Sequence, residues 1–369
     1  MKDTVSSHTK KTKLNKWLLG GIALVVVLAI ILAAVLIKGG VFTRKPEEDN
    51  SLPVSSQTVS VEEVDNSFEI KLSFAGDNIL ACFKNITSSG SFNEYSNKKD
   101  PSYFLEKVKP IFEQDDFTFV NLENVLTDKN LSPVPRDYSP AFWFRSKTSN
   151  IKILTSASVE GVSLTNNHTN DYGSEGYNDT LETVKNAGLE YGTQSKTVYY
   201  TKNDYTVAII CSGMWYEGQS ADIIKRLNEA SEKSDFQVVF FHGGTEKIHK
   251  PDNFKVRAAH KLVDAGADLV VGSHPHVLQP REVYKGVEIV YSLGNFCYGG
   301  HRRPENRCVI YQATLKFDKD GVYTGVGGEI IPCYVYTGSV NNYQPTPIEN
   351  EKEKQRVLDF MDGKVSSPL

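Results

Sequence analysis

The apolar positions of this chain fall into two regimes. In the first, "WLLGGIALVVVLAIILAAVLI" (17–37) runs without a charged residue and without a polar face. Roughly 20 such residues span a hydrocarbon core of about 30 Å, whereas a core helix would keep a polar stripe, so the run predicts a transmembrane helix. Lys2, Lys10, Lys11, Lys13 and Lys16 precede it, and "KPEEDN" follows soon after. Positive-inside bias then places a tail at 1–16 in the cytoplasm and everything after Lys38 outside, as a single-pass protein of the cell membrane. The apolar stretch is longer than a usual signal-peptide core and no small-x-small cleavage site follows, which favours an uncleaved anchor. Residues 38–67 are rich in Ser, Glu, Pro and Gly without apolar periodicity, the composition of a solvated linker.

In the second regime, from Phe68 on, short β-rich runs alternate with capped, amphipathic segments. "FEIKLSFAGD", "DFTFVNLENVLT", "VEGVSLTNNH", "YTVAIICSGMW", "FQVVFFHGGTE", "ADLVVGSHPH" and "KGVEIVYSLGNF" each predict a buried strand. "GSEGYNDTLETVKNAG" and "NFKVRAAHKLVDAG" predict helices that stop at glycine. A hairpin is expected over 308–335, turning at Asp320–Gly321, and a short helix at "EKEKQRVLDFM". Alternation of this kind is the pattern of an α/β domain, expected over 68–335, with a polar tail at 336–369.

Composition narrows the function. Lys and Arg total 41 against 45 acidic residues, a net charge of -4, so no global basic field argues for nucleic acid. The 5 cysteines are odd in number and show no CxxC, so no disulfide framework is legible and at least one is free or paired between chains. Cys82 and Cys297 read as small packing residues. No GxxxxGK[ST] loop occurs, so ATP-driven polymerisation would belong to a partner.

In α/β folds, ligands gather at the carboxyl ends of the strands. Here Asp77 ends the first strand, Asn121 and Glu123 the second, and Asn166, Asn167 and His168 the third, while His242, then His274 and His276, end two later ones. Carboxylate, amide oxygen and imidazole together suit borderline divalent ions such as zinc, manganese or iron, and the mix excludes a soft thiolate site. Each element alone also reads as a turn, a cap or a hydrogen-bonded histidine. Five strand ends carrying such residues point to a metal site, with "GSHPH" its most specific piece. "HRRPENR" (301–307) follows "SLGNF", and its Arg302, Arg303 and Arg307 are either a solvated charge run or a grip for polycarboxylate.

The ordered series "FAGDNIL", "FVNLENVLT", "VSLTNNHTNDYG", "FFHGGTE", "DAGADLVVGSHPHVLQP" and "YSLGNF" resembles the CapA family of poly-γ-glutamate capsule biosynthesis proteins. That family is similar to calcineurin-like metallophosphoesterases, so the resemblance implies a four-layer α/β/β/α sandwich and one or two divalent ions. It makes Asp77 the first ligand, Glu123 the bridging carboxylate and Asn167 an amide-oxygen ligand. His242 and His274 would complete the second ion and His276 the first. It also makes His168 the acid that protonates a leaving group, with Asp171 either orienting that imidazole or capping the following helix. Asn121 and Asn166 are expected, with the arginines, to meet substrate. Two departures stand out: Ile79 occupies the position of a phosphoesterase histidine, and Gly243 stands where the capsule family commonly has Trp, removing an aromatic wall.

The expected function is therefore a membrane-anchored component acting on poly-γ-glutamate or a related anionic polymer, through metal-assisted hydrolysis or transfer at an amide or phosphate ester. It would work beside membrane synthase or exporter subunits. A general extracytoplasmic metallophosphoesterase and a noncatalytic polymer-binding scaffold are the alternatives.

Overall fold

The computed structural model describes residues 66–83 and 88–369, so the 17–37 span and all but the end of the linker lie outside the described residues. Among the described residues no helix is long and apolar enough to cross a membrane. In chain order the regular elements are β1 (Phe68–Ile79), α1 (Phe92–Lys98), α2 (Lys109–Phe112), β2 (Phe117–Leu122), β3 (Val125–Leu126) and β4 (Arg145–Ser146). Next come α3 (Lys152–Thr155), β5 (Gly161–Ser163), α4 (Gly173–Asn186), β6 (Glu190–Gly192), β7 (Val198–Lys202), β8 (Tyr205–Gly213) and α5 (Ser220–Ser231). The chain continues through β9 (Phe236–His242), α6 (Asn253–Asp264), β10 (Leu269–Ser273), β11 (Leu278–Tyr284), β12 (Val287–Leu293) and β13 (Asn295–Tyr298). It ends with β14 (Cys308–Phe317), β15 (Tyr323–Tyr334), β16 (Thr346–Pro347) and α7 (Glu351–Met361).

Among the described residues the strands make an 8-stranded sheet ordered β16-β15-β14-β1-β2-β5-β6, with β13 beside β1, and a 6-stranded sheet ordered β11-β12-β10-β9-β8-β7. β1, β2, β5 and β6 run parallel, as do β8, β9, β10 and β12. Antiparallel strands close the edges, including the expected hairpin of β14 and β15.

Parallel strands must be covered on both faces, and three apolar clusters do this. One lies between the sheets, joining Phe74, Phe119, Ile209, Phe240 and Val271. A second joins Ile79 and Val162 to Phe92, Phe112, Leu154 and Val184 of the first helical layer. The third joins Val239 and Val270 to Ile223 and Leu227 of α5 and to Ala259 and Leu262 of α6. The layers run helices, sheet, sheet, helices, the order the resemblance implies.

Local chemistry explains most boundaries. Ser91 caps α1 by accepting from the Glu94 N–H at 3.2 Å, and Asn350 caps α7 by accepting from Glu353 at 3.1 Å. The expected strand over "DFTFVNLENVLT" stops at Leu122, because the Glu123 N–H turns to the Asn78 carbonyl (2.8 Å) and Val125–Leu126 pair with Arg145–Ser146 instead. "KGVEIVYSLGNF" divides at Gly294, which lets β13 leave β12 and lie along β1. That crossing is tight: a Cβ on Gly76 would stand 1.9 Å from the Gly294 carbonyl oxygen, so only glycine lets the chains pass. All 5 cysteines are buried, Cys82 and Cys297 inside the first helical-layer core.

Phe240 is fully buried between the sheets, edge-on to Phe119 at 5.3 Å and stacked with Phe74 at 6.2 Å. Phe240→Ala is expected to cost about 3–5 kcal/mol of unfolding free energy. Urea denaturation measures this, and a loss below about 1 kcal/mol would contradict the inter-sheet packing described.

Candidate metal centre

The carboxyl ends of the parallel strands from both sheets meet at one edge, and the polar residues there form a single cluster. Asp77, Glu123 and His242 are fully buried and His274 nearly so. Asp77, Glu123 and His276 each offer a ligand atom within 4.8 Å of one another; so do Glu123, His242 and His274, and also Glu246, His274 and His276. Glu123 is common to the first two groups. The contacts are close: His242 Nε2 lies 2.8 Å from Asn167 Oδ1, 3.1 Å from His274 Nδ1 and 3.4 Å from Glu123 Oε1. His276 Nδ1 lies 3.2 Å from Asp77 Oδ2, and its ring is steadied by Asn295, whose Oδ1 is 3.0 Å away.

The fit to a cation rests on an orphan. Glu123 Oε1 is buried with no hydrogen-bond partner, an arrangement that is costly unless a positive group satisfies it. The set of carboxylates, imidazoles and one amide oxygen is that of a borderline divalent ion. Backbone strain points the same way. His274 and His276 both sit at positive φ, 99° and 58°, which side chains rarely adopt unless the surroundings impose it. The turn of "GSHPH" thereby aims two imidazoles into one cluster.

Electrostatics separates the members. Burial, with repulsion from Asp77 and Glu246, pushes the Glu123 carboxyl well above the ordinary range. Burial would raise Asp77 too, but the hydrogen bonds from His276 and Asn121 together with the His242 and His276 charges outweigh it and leave Asp77 below its usual value. Burial pushes His242 down to about 3 and His274 well down as well. For His276 burial also lowers, yet the Asp77 bond and charge win and raise it. His242 and His274 are thus neutral imidazoles, the form that binds a metal.

Beside this cluster stands a second unit. His168 Nδ1 is 2.8 Å from Asp171 Oδ2, which also accepts from the Phe144 N–H at 2.7 Å. Asp171 therefore orients the imidazole; the residue at the helix start is Tyr172, and no side chain caps there. Arg136 pairs with Asp171 Oδ1, donates to the Asn167 carbonyl at 3.1 Å and packs its guanidinium against Tyr138 and Trp143. With Nδ1 held, Nε2 is the nitrogen of His168 left for the cleft that His168 and His276 line together with Phe142, Phe144 and Tyr298.

The residues expected to meet substrate divide. Asn121 is fully buried; its amide donates to Asp77 Oδ1 at 2.8 Å and its carbonyl accepts from Asn166 at 3.1 Å. Asn166 also donates to the Leu122 carbonyl at 2.8 Å. Both hold the site from behind instead of facing a ligand, because their amides are committed to protein partners. Arg303 lines the cleft, with Lys247 and His301. Arg307 does not: it pairs with Glu353 at 2.6 Å and lies over Tyr334. Arg302 packs against Gly90 and also lies outside the cleft lining.

Several members escape sequence reading. Glu246, exposed at the cleft, offers a carboxylate oxygen within 4.8 Å of ligand atoms of His274 and His276. The aromatic wall missing at Gly243 is supplied by Trp215, whose ring meets His274 edge-on at 4.7 Å and His242 at 5.8 Å. Gly243 itself has no room for a side chain, since a Cβ would fall 1.9 Å from the Met214 carbonyl oxygen. The only sequence signal for Trp215 is its place just past a buried strand. Glu246 lies in plain view in "HGGTE", but nothing in its spacing says that the loop folds back.

PGA biosynthesis protein CapA of Bacillus subtilis (strain 168) is 27% identical over 97% of this chain and 92% of its own length. Capsule biosynthesis protein CapA of Bacillus anthracis is 28% identical over 72% of this chain and 68% of its own. A probable polyglutamine synthesis accessory protein of Mycobacterium tuberculosis is 25% identical over 54% of this chain and 62% of its own. The solved 5'-nucleotidase precursor of Thermus thermophilus superposes with a TM-score of 0.39 at 11% identity, over 71% of this chain and 54% of that one, a likeness too loose to argue from. The bacterial capsule synthesis protein PGA_cap family matches residues 71–299, a stretch that begins in β1 just before Asp77 and ends just past β13. By that match, which takes in every member of the candidate cluster, the chain belongs to the bacterial capsule synthesis protein PGA_cap family.

Proposed function

We propose that this protein is a membrane-anchored component of capsule synthesis that acts on poly-γ-glutamate or a related anionic polymer, through a metal-dependent hydrolase or transferase centre of the metallophosphoesterase type. The observation that carries the reading is the buried Glu123 oxygen, without a hydrogen-bond partner, at the meeting point of three imidazoles and Asp77. Two relatives are named for capsule or PGA biosynthesis, which supports the polymer.

Asp77, Glu123, Asn167, His242, His274 and His276 would hold one or two divalent ions, with Glu246 as a further carboxylate. Such an ion, when bound, supplies a Lewis acid for a carbonyl or phosphoryl oxygen. The protein's own residues do the rest. Asp171 and Arg136 fix the His168 ring so that its Nε2 delivers a proton to the leaving group of an amide or phosphate ester. Trp215 and Phe144 shield the histidines from water on two sides. Lys247 and Arg303 attract the carboxylates of an acidic chain into the cleft. The 17–37 segment anchors the domain outside the cytoplasmic membrane, where synthase or exporter subunits would supply the polymer.

In purified full-length protein, His274→Ala is expected to lose bound manganese or zinc by elemental analysis and to abolish polymer cleavage or transfer. His168→Ala is expected to keep the metal and lose turnover by about 10²–10⁴-fold. Wild-type protein that takes up neither metal and stays inert with both supplied would overturn the catalytic reading in favour of a scaffold. Proton and cation compete for His276, whose protonation Asp77 favours to above its ordinary value. Its protonated form dominates below that raised value, so manganese affinity should tighten as pH rises through neutrality; a titration showing affinity independent of pH would contradict this. Removal of residues 1–37 should shift the protein from the membrane to the soluble fraction on cell fractionation, and retention in the membrane would refute the anchor.

A further inference from the structure

The segment around β4 has a second side. Phe144 lines the metal cleft, whereas Arg145, Ser146 and Lys147 line a separate cavity of about 390 Å³ next to α1. Its remaining walls are polar as well, with Asn97, Asp128 and Asn130 among them and no aliphatic residue in the lining.

The charge balance is unusual. Neither Arg145 nor Lys147 has a carboxylate partner among the described residues. Lys147 Nζ donates to the Ser96 carbonyl at 2.9 Å and to Asn97 Oδ1 at 3.0 Å, which leaves a third ammonium proton. Arg145 Nη1 donates to the carbonyls of Lys129 and Leu131 at 2.8 and 3.2 Å, and the guanidinium lies 5.1 Å from the Tyr172 ring centre. That use leaves most of its five donors unspent. The one acid in the lining, Asp128, is held by Thr148 through its backbone N–H at 3.1 Å and its hydroxyl and keeps its negative charge, so Arg145 and Lys147 still outnumber it. The third cation, Lys129, is already matched by Asp179 at 2.8 Å and Glu175 at 3.1 Å. Two cations with spare donors in a polar hollow are the chemistry of a charge-assisted anion site, with room for a few attached atoms.

We propose that this cavity binds an oxyanion, a phosphate or carboxylate group, through Arg145 and Lys147, separately from the metal cleft. Ser146 Oγ accepts from the Asn124 amide at 3.3 Å, one residue beyond Glu123, and Phe144 packs on His168 at 4.6 Å. An occupant would therefore steady the short segment that touches both Asn124, next to Glu123, and His168.

The test uses full-length protein carrying His274→Ala, so that the metal cluster does not contribute, titrated calorimetrically with inorganic phosphate in one arm and glutarate in the other. Saturable binding of either probe, weakened about tenfold or more by an added Lys147→Glu, is the expected result. Binding of phosphate alone assigns a phosphoryl ligand, of glutarate alone a carboxylate, and of both a site for either group. Lys147→Gln removes the charge while keeping an amide donor for Ser96, and it decides by the same criterion if the charge reversal disturbs folding in circular dichroism. The proposal falls if neither probe binds, or if binding survives the loss of the Lys147 charge.

Discussion

Two carboxylates, Asp77 and Glu123, lie fully buried in one cluster, and everything near them answers that constraint. Like charges in a low-dielectric interior repel strongly unless cations or hydrogen-bond donors separate them. Here Asn121 donates to Asp77 and approaches Glu123, while His276 reaches both, so the pair is divided by an amide and an imidazole. One Glu123 oxygen is still without a hydrogen-bond partner. A divalent cation would answer that need, and the set of carboxylates, imidazoles and one amide oxygen around it suits such an ion.

Such a cluster needs a rigid frame, because a small shift would lose the hydrogen bonds that offset burial. Two sheets packed through Phe74, Phe119 and Phe240 bring the ends of β1 and β2 against those of β9 and β10. The Gly76–Gly294 crossing brings β13 alongside β1, and with it Asn295, which orients His276. Around this rigid part stand loops with a different task. Arg136, Asp171 and His168 form a chain of charge-assisted contacts that starts in a loop rich in exposed aromatics and ends in the cleft. Rigid strand ends thus carry the candidate ligands, and the loops carry the groups that would meet a substrate.

Much of this is legible in the chain. The strands are readable because continuous apolar runs end at polar residues, and the hairpin because Asp320–Gly321 separates two β-rich stretches. The convergence of Asp77, Glu123, Asn167, His242, His274 and His276 follows from that reading, since parallel strands put all their carboxyl ends on one edge. Other features are harder to read. α5 buries Ile223, Leu227 and Ala230 on one face, yet no capping side chain announces its start. Arg302, Arg303 and Arg307 look equivalent in sequence, and only the fold turns two of them away from the cleft. Arg136 gives no signal at all, because its partner Asp171 is 35 residues further on.

The sequence by itself determined the α/β class, the family, the 17–37 apolar run and the identity of the residues at each strand end, because these depend on local periodicity and on motifs read in order. Only the tertiary structure decided which of those residues touch. Burial set Asn121 behind Asp77 instead of before a substrate, loop return brought Glu246 to the histidines, and Trp215 crossed from another strand end to form the wall that Gly243 cannot. Each depends on distances between segments far apart in the chain, and those distances are set by sheet packing and not by spacing along the sequence.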